Sequence, residues 1–402
     1  MSHTLATACF WGLFGLRYAR NIVGIPTVLI ARTKVAEMPS RYSAKDVSVI
    51  IPTTAKSLRE LEKCLATVTA CSPAAIFIIT NEASIGLVNK LLCSFSEQPI
   101  TLLNVAKFNK REQILKALPL VRTPISILAD DDVRWPPGFL EYLLPIFNDP
   151  VVGAGGPRQS VRREPNPSFW NFLGICYLER RAWNNMATNM VDGSISTLSG
   201  RTAAYRTGII QTSDFEAYFM KERGGQGKPN SGDDKALTQY VYSQGWKIAL
   251  QPDSRATIET TLERDCRYML QCVRWARSHW SGNFAVMKEE TYWYSRQYLW
   301  GLYYIYISQF QVPVVLFDGL LFFLLSIMVE QASQFTANLC YAALTTWILF
   351  MKVVKLIPHF CKFPADIRFI PVSILFCYVH GFLSLYGAFT MHYTGWGSQR
   401  LD

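Results

Sequence analysis

Charged residues are scarce in this chain of 402 residues. Only 17% of positions are Asp, Glu, Lys or Arg, whereas 50% are hydrophobic, and soluble globular proteins usually carry about 25% charged residues. This shortage of charge excludes a wholly water-soluble protein. The counts of Gly 24, Pro 20 and Cys 10 are ordinary for the length, which excludes collagen-like, disordered and disulfide-scaffold proteins. A membrane protein with one sizeable polar domain remains.

Several signatures of ligand binding are also missing. No CxxC pair occurs among the cysteines, so we predict reduced thiols in a cytosolic compartment and no cysteine metal site. No GxGxxG or GxxxxGK[ST] element occurs, which removes the main support for a dinucleotide or P-loop site. The net charge of +10 contains no basic run of five. It therefore favours basic residues on the cytosolic side of a membrane over nucleic-acid binding, although charge alone also allows a polyanionic substrate.

Long apolar runs cluster at the two ends of the chain. At the N-terminus we predict one uncleaved span followed by an interfacial piece, since a basic n-region and a small-residue cleavage site are missing. At the C-terminus three runs are apolar enough to span a membrane: Pro313–Val329, Ala337–Phe350 and Phe369–Met391. Basic residues crowd the connection between the last two runs, which places it in the cytosol. The aromatic stretch Tyr292–Tyr306 predicts a helix at the headgroup level.

The central part of the chain alternates strand and helix patterns. The strands are predicted at Val47–Pro52, Ala75–Thr80, Ile100–Val105 and Ile125–Ala129, with helices at Leu58–Val68, Ile85–Phe95 and Arg111–Pro119 between them. This order predicts an α/β domain with a parallel sheet and helices on both faces. Ligands of such a sheet bind at the carboxyl ends of the strands.

Three carboxylates, Asp130, Asp131 and Asp132, follow the fourth predicted strand. Adjacent carboxylates repel one another unless a cation or a hydrogen-bonding shell lies among them. Two oxygen ligands two positions apart suit Mg²⁺ or Mn²⁺, which then bridges to a diphosphate. An acidic turn that caps the next helix is the alternative. The position at the end of a parallel strand favours the metal.

Two further pairs of charges mark predicted helix starts. Lys110 and Arg111 place two cations where the helix dipole is already positive, so the pair indicates either a bound anion or a solvated basic cap. Asp233 and Asp234 precede the helical pattern Ala236–Val241. Capping explains one of these carboxylates, and the other is a candidate general base.

Gln271, Arg274 and Trp275 form a QxxRW motif inside the helical stretch Asp265–Val286. Positions i, i+3 and i+4 share one helix face. Arginine can bind a pyrophosphate with two hydrogen bonds, glutamine can bind a sugar, and an indole can stack on a pyranose ring. An amphipathic interface helix with an incidental arginine is the alternative.

Together these residues resemble the membrane-embedded, processive family-2 glycosyltransferases, namely the hyaluronan, cellulose and chitin synthases, and most closely the fungal hyaluronan-synthase-like enzymes. The resemblance runs in order over nearly the whole chain, through Val47–Thr53, Lys110-Arg111, Ala129–Val133, Ser199–Arg201 with Tyr205-Arg206, Gly232–Lys235, Gln271–Trp275 and Gly395–Ser398. The chain departs from the family at Thr80-Asn81-Glu82, where an aspartate pair is usual, and at Ser398-Gln399-Arg400 in the tail.

The resemblance implies a GT-A-type nucleotide-sugar-binding domain, inserted between N-terminal and C-terminal transmembrane or interfacial helices. The implied segments are an N-terminal membrane segment (1–45), a cytosolic catalytic domain (46–264), interface helices with QxxRW (265–311) and a C-terminal membrane region with the tail (312–402). The implied location is the plasma membrane, with several spans. Rival expectations are a lipid-linked glycosyltransferase that transfers one sugar, such as one making a dolichol phosphate sugar, and a catalytically silent membrane scaffold.

The implied reaction is inverting transfer from a UDP-sugar to a growing polysaccharide, which the membrane helices export. Asp130 and Asp132 would hold Mg²⁺ or Mn²⁺, and Asp234 would act as the base. The implied donor-binding residues are Pro52, Thr53, Glu82, Lys110, Arg111, Asp131 and Arg274. The implied acceptor-binding residues are Ser199, Gly200, Asp233, Gln271 and Trp275, with Trp396 near the export opening.

Overall fold

The computed structural model describes residues 1–33, 39–221, 232–288 and 298–393. In these ranges the strands are β1 Val47–Pro52, β2 Ala75–Asn81, β3 Ile100–Val105, β4 Ile125–Ala129, β5 Val152–Pro157, β6 Gln159–Val161, β7 Thr202–Arg206, β8 Lys247–Gln251 and β9 Ile258–Thr260. The helices before residue 200 are α1 His3–Thr33, α2 Leu58–Thr69, α3 Ile85–Leu92, α4 Lys110–Ala117, α5 Phe139–Leu143 and α6 Phe169–Asp192. The later helices are α7 Thr207–Ile210, α8 Ser213–Met220, α9 Asp233–Ser243, α10 Arg267–Met287, α11 Leu299–Gly301, α12 Val314–Met328, α13 Gln334–Val353, α14 Ile357–Lys362 and α15 Ile370–Phe389.

The main sheet, as far as the described residues show it, orders its strands β3-β2-β1-β4-β7-β5-β8. The strands β1 to β4 pair in parallel, as predicted. The prediction of a parallel sheet is wrong at β7, which runs antiparallel to both β4 and β5. The start of β7 lies beside the end of β4, since the Asp130 amide donates a hydrogen bond to the Arg201 carbonyl at 3.1 Å. A second, small sheet pairs β6 with β9.

Helices cover both faces of the sheet, which confirms that prediction. The strands of the main sheet are almost entirely apolar, and alternate side chains enter two separate cores. Ile50 and Leu128 pack with residues of α4, α6, α8 and α9 on one face, whereas Val49 and Ile127 pack with α2, α3 and α5 on the other. Each fully buried aliphatic side chain contributes about 1.5–3 kcal/mol, so burial on both faces fixes the register of the strands that carry the site.

The C-terminal region contains the candidates for membrane spans. Among the described residues, two helical stretches are long and apolar enough to cross a membrane, Gln334–Lys362 and Pro364–Phe389. They coincide with the second and third predicted runs. The first predicted run forms α12, which reaches span length only together with Leu299–Phe310, and these two pieces meet at 91°. Part of the predicted interfacial helix Tyr292–Tyr306 and all of the tail with Trp396 lie outside the described residues.

The N-terminal region differs from its prediction. One helix of 31 residues, α1, continues through Pro26, where a span and a separate interfacial piece were expected. By length and composition it is not among the candidate spans found in the described residues. Arg17 lies within α1 and is 7% exposed, because its guanidinium pairs with Asp318 of α12 at 2.6 Å. The helix is thus bound to the C-terminal region by charge as well as by apolar packing.

Candidate active site

Three carboxylates follow β4, and each has a different partner. Asp130 accepts a hydrogen bond from Lys110 Nζ at 2.7 Å. Asp131 accepts one from the Thr53 hydroxyl at 2.5 Å, because Thr53 follows β1, the neighbouring strand. Asp132 accepts from the hydroxyls of Thr260 and Thr261 at 3.1 and 2.8 Å. The carboxyl ends of β1 and β4 therefore hold all three side chains at one edge of the sheet, and all three line the same cleft.

The three carboxylates are crowded electrostatically. Burial raises the pKa of Asp130, Lys110 opposes this, and the neighbouring Asp132 raises the pKa further. Burial and the charges of Asp130 and Asp132 likewise raise the pKa of Asp131 to about 6, against the opposing hydrogen bond from Thr53. Ionisation of the cluster is thus costly unless a cation is added.

The donor set fits a hard divalent cation. Asp130 and Asp132 offer carboxylate oxygens to one cleft, and such oxygens are the ligands that Mg²⁺ and Mn²⁺ prefer. Within the described ranges no group of three or more His, Cys, Asp or Glu side chains could hold a metal by itself. A cation here would take its remaining ligands from a diphosphate and from water.

A second acidic pair, Asp233 and Asp234, begins α9 and lines the same cleft. Gly232 precedes the helix with a φ of +67°, a left-handed conformation that glycine adopts without strain. Asp233 lies 3.1 Å from Lys110 Nζ, and Asp234 accepts a hydrogen bond from the Lys235 amide at 2.8 Å. Burial raises the pKa of Asp234 and the charge of Asp233 raises it further, whereas Arg181 and Lys110 lower it.

Lys110 joins the two acidic groups. Its ammonium contacts both Asp130 and Asp233, and these charges raise its pKa against the effect of burial. The side chain therefore stays cationic and bridges the two acidic groups. No bound anion is needed at the start of α4, because the side chain of Asn109 already accepts hydrogen bonds from the amides of Arg111 and Glu112.

Two residues predicted to bind the donor lie elsewhere. Arg111 is 5% exposed and does not line the cleft. Its guanidinium stacks on the Phe219 ring and donates to the Phe219 carbonyl, because Lys110 and Arg111 leave the first turn of α4 in different directions. Glu82 is exposed beyond the end of β2 and is also outside the cleft lining. Pro52 and Thr53 do line the cleft.

The QxxRW residues share a face of α10, as predicted, and all three line the cleft. Trp275 stacks on Tyr177 of α6 with ring centroids 4.9 Å apart and an interplanar angle of 20°. The guanidinium of Arg201 lies 5.6 Å from the Trp275 ring. Burial, then the charge of Arg201, lowers the pKa of Arg274. The indole thus forms a flat part of the cleft wall that stacks on Tyr177 and lies close to Arg201.

Ser199 and Gly200 complete the predicted acceptor side. Both line the cleft, together with Arg201. A Cβ atom on Gly200 would lie 3.2 Å from Lys110 Nζ and 3.5 Å from Asp234 Cβ. A larger residue here would therefore require the Lys110 ammonium to shift from this position. Sequence reasoning did not assign roles to Tyr177 and Arg181 of α6, because nothing in the spacing of this helix indicated which face meets the cleft.

The cleft encloses about 940 Å³ and continues from the sheet edge to the C-terminal helices. Its far end is lined by side chains from α1, α12, α15 and the π-helix Leu302–Ile307. Cationic side chains are frequent there: Arg17, Arg20, Arg180 and Arg277. One continuous space therefore joins the acidic groups to the apolar helices.

Comparison with known proteins decides the family. A model of the family described as "Glycosyltransferase like family 2" matches residues 44–278. A "Type 2 glycosyltransferase" of Gibberella zeae is 37% identical over 405 residues, which cover 99% of this chain and 76% of the relative. The chain belongs to this family. A second "Type 2 glycosyltransferase", of Zymoseptoria tritici, is 36% identical over 97% of this family-2 enzyme and 83% of the relative.

More distant proteins agree on the fold. Mouse hyaluronan synthase 3 is 27% identical to this family-2 glycosyltransferase over 46% of the chain and 32% of the synthase. A mannosyltransferase from Pyrobaculum calidifontis, solved in complex with GDP-Man and Mn²⁺, superposes with a TM-score of 0.54 at 14% identity, over 94% of this chain and 97% of the other. The central unit thus has a GT-A glycosyltransferase fold. The activity follows from the family and not from this superposition: a family-2 member is a glycosyltransferase that uses nucleotide sugars.

Proposed function

We propose that this family-2 glycosyltransferase transfers a sugar from a UDP-sugar to the growing end of a polysaccharide, with inversion, at the cytosolic face of a membrane. The observation that carries the proposal is the single cleft lined by Asp132, Asp234 and Trp275. These side chains come from three separate parts of the chain. Each has chemistry suited to one partner in sugar transfer: the diphosphate, the attacking hydroxyl and the sugar ring.

Donor binding rests on the β4 edge of the sheet. Asp130 and Asp132 would hold Mg²⁺ or Mn²⁺, which when bound neutralises the diphosphate and the charge that develops on the leaving nucleotide. Arg274 projects into the same cleft and would bind phosphate oxygens. Lys110 would release part of its contact with Asp130 when the diphosphate supplies a stronger anionic partner. Pro52, Thr53 and Asp131 would line the nucleotide.

The acceptor side lies at the start of α9 and on α10. Asp234 would accept the proton of the attacking hydroxyl, and its raised pKa makes it a better base than a solvated aspartate while it remains ionised. Trp275, braced by Tyr177, offers a flat apolar surface on which a sugar ring can stack. Ser199, Gly200, Asp233 and Gln271 would border the acceptor, and the channel would end near Trp396.

A polymeric product is supported by the continuation of the cleft between the C-terminal helices and by the partial similarity to a hyaluronan synthase. Two helical stretches have the length and composition of membrane spans, so we place the enzyme in a membrane as a multi-pass protein, in the plasma membrane, with its catalytic domain in the cytosol. The growing chain would pass outward along this space.

The decisive experiment incubates the purified enzyme, in detergent or nanodiscs, with each member of a panel of radiolabelled UDP-sugars, alone and in pairs. We expect UDP release together with a labelled product of high molecular mass that specific glycan hydrolases degrade. A single-sugar product extracted into organic solvent would instead identify a lipid-linked transferase. Absence of UDP release with every donor would contradict the proposed function.

Replacement of the base tests the acceptor side. We expect Asp234→Asn to lower transfer by at least about 100-fold, since general-base catalysis is worth roughly 10²–10⁴-fold, while UDP affinity stays nearly unchanged. Asp214→Asn, an exposed carboxylate in α8, is the matched control and should retain full activity. Product formation by Asp234→Asn at the wild-type rate would refute the base assignment.

Replacement of a metal ligand tests the donor side. We expect Asp132→Ala to lose the dependence of UDP binding on a divalent cation, because one of the two proposed carboxylate ligands is gone. The measurement is UDP affinity by calorimetry, with Mn²⁺ and with a chelator. If the wild-type enzyme binds UDP equally well with Mn²⁺ and with a chelator, there is no metal at the end of β4.

A further inference from the structure

A second cavity lies apart from the active-site cleft. It encloses about 310 Å³, and its lining shares no residue with that of the cleft. The wall consists mainly of basic side chains, with two carboxylates and one proline: Arg59, Lys63, Arg134, Arg162, Arg163, Arg264, Glu60, Glu164 and Pro165. A volume of this size accommodates a small ligand or one headgroup.

The carboxylates of this cavity do not balance its cations. Glu60 contacts three of them, at 3.1 Å from Arg162, 3.6 Å from Arg134 and 3.7 Å from Lys63. Glu259 adds a longer contact of 3.8 Å with Arg162. Glu164 is engaged by Arg264 at 2.7 Å. Two carboxylates, Glu60 and Glu259, thus face the three cations Arg162, Arg134 and Lys63, so the centre of the cavity keeps an excess of positive charge.

The arginines at the centre also keep unused donors. Nε of Arg134 and Nη2 of Arg162 are buried and have no hydrogen-bond partner. Arg134 and Arg162 both contact the same oxygen of Glu60, so their like charges lie close together and repel each other. A buried donor without an acceptor is unfavourable, and an anion that accepts hydrogen bonds from both groups would remove this penalty and the repulsion.

The cavity is attached to the membrane region. Arg163 donates two hydrogen bonds of 2.8 Å to the carboxylate of Asp366, which is fully buried. Asp366 lies in the 3₁₀ helix Pro364–Phe369, at the connection between the two candidate spans. Lys362 and Arg368 of this connection are exposed. The rim therefore lies where the headgroups of a bilayer would begin.

We propose that this cavity is a second anion site, which binds a phosphate group through Arg134, Arg162, Lys63 and Arg59. Guanidinium groups bind phosphate oxygens in pairs and more strongly than neutral donors do. The group is either the phosphate of an anionic phospholipid or a soluble phosphate. This inference is independent of the sugar that the enzyme transfers.

The test uses the full chain in nanodiscs and has two arms. In the first, radiolabelled inorganic phosphate is dialysed against enzyme in phosphatidylcholine nanodiscs. In the second, nanodiscs contain one part in five of phosphatidic acid, and native mass spectrometry measures the lipid that the protein retains. Saturable phosphate binding in the first arm identifies a soluble ligand. Retention of phosphatidic acid without phosphate binding identifies a headgroup.

The variants distinguish anion binding in this cavity from anion binding to surface charge in general. Arg162→Gln removes the central guanidinium. The double variant Arg59→Gln with Lys63→Gln removes two cations at the rim and keeps the ion pair between Glu60 and Arg162. It therefore provides the test if Arg162→Gln fails to fold. We expect each to weaken binding at least about tenfold. The control Lys90→Gln with Lys116→Gln removes two exposed charges elsewhere and should bind normally. Absence of binding in both arms, or equal binding by all folded variants, would overturn the proposal.

Discussion

Replacing Asp318 by Asn removes the carboxylate that two buried cations share. Asp318 lies 2.6 Å from Arg17 of α1 and 2.7 Å from Lys352 of α13. The three side chains are each at most 8% exposed, so water cannot take the place of the lost charge. The substitution keeps the shape of the side chain and isolates the electrostatic effect.

The expected magnitude follows from the burial of the triad. Removing one partner of a buried ion pair costs about 3–5 kcal/mol, because the other charge stays buried and unpaired. Asp318→Asn leaves two such charges. Lys352→Met leaves the pair of Arg17 and Asp318 balanced and removes the contact of Lys352 with the Tyr378 ring at 4.5 Å, which is worth about 1–2 kcal/mol. Asp318→Asn should therefore destabilise the protein clearly more than Lys352→Met does.

The assay is thermal unfolding of the full chain in detergent, with both variants measured beside the wild type and Asp214→Asn. We expect Asp318→Asn to lower the Tm most, Lys352→Met to lower it slightly, and the surface control to leave it unchanged. If Lys352→Met destabilises the protein as much as Asp318→Asn does, the reasoning from unpaired buried charge is wrong.

Two other predictions concern the pH dependence of the proposed base and the packing of α15 against α10. Burial and Asp233 raise the pKa of Asp234, and a base must be ionised, so transfer should fall as pH drops through that raised pKa. Asp233→Asn removes a like charge and should move this acid limb of kcat/KM to lower pH; an unmoved or higher limb would contradict the assignment. At Gly387 of α15, a Cβ would lie 2.6 Å from Ala276 Cβ of α10, so Gly387→Val should cost about 1–3 kcal/mol and reduce activity. Gly319→Val, where nothing lies within 4 Å of such a Cβ, is the control, and equal Tm values for the two variants would refute the packing argument.

The elements nearest the site were the most predictable. The bounds of β1, β3 and β4 agree with the sequence patterns, because a short apolar run with turn-forming or polar residues at its ends is assigned to a strand by its length and its flanks. The shared face of Gln271, Arg274 and Trp275 was also predictable, since helical spacing alone determines it. The antiparallel direction of β7 could not be predicted, because the sequence pattern of a short buried strand is the same for both directions.

The roles within the Lys110-Arg111 pair show a different limit. Both cations begin α4, yet one bridges two carboxylates and the other is buried against Phe219. The difference arises from α8, which carries Phe219 and follows α4 by about a hundred positions. Helical spacing predicts where a side chain points relative to its own helix. It does not predict which residues of other elements that side chain contacts.

Short-range patterns in the sequence were enough to predict the local chemistry of this protein: an apolar strand that ends in carboxylates, a helix face with Arg and Trp, and apolar terminal regions. Periodicity and composition act over a few residues, and these features need no more. Only the packed structure reveals that Lys110 joins the two acidic groups, that Arg17 contacts Asp318 from the far end of the chain, and that a cavity rich in basic side chains lies beside the connection between the two candidate spans. Such contacts depend on how helices and sheet pack, since the charges that meet are distant in the chain and no short-range pattern pairs them.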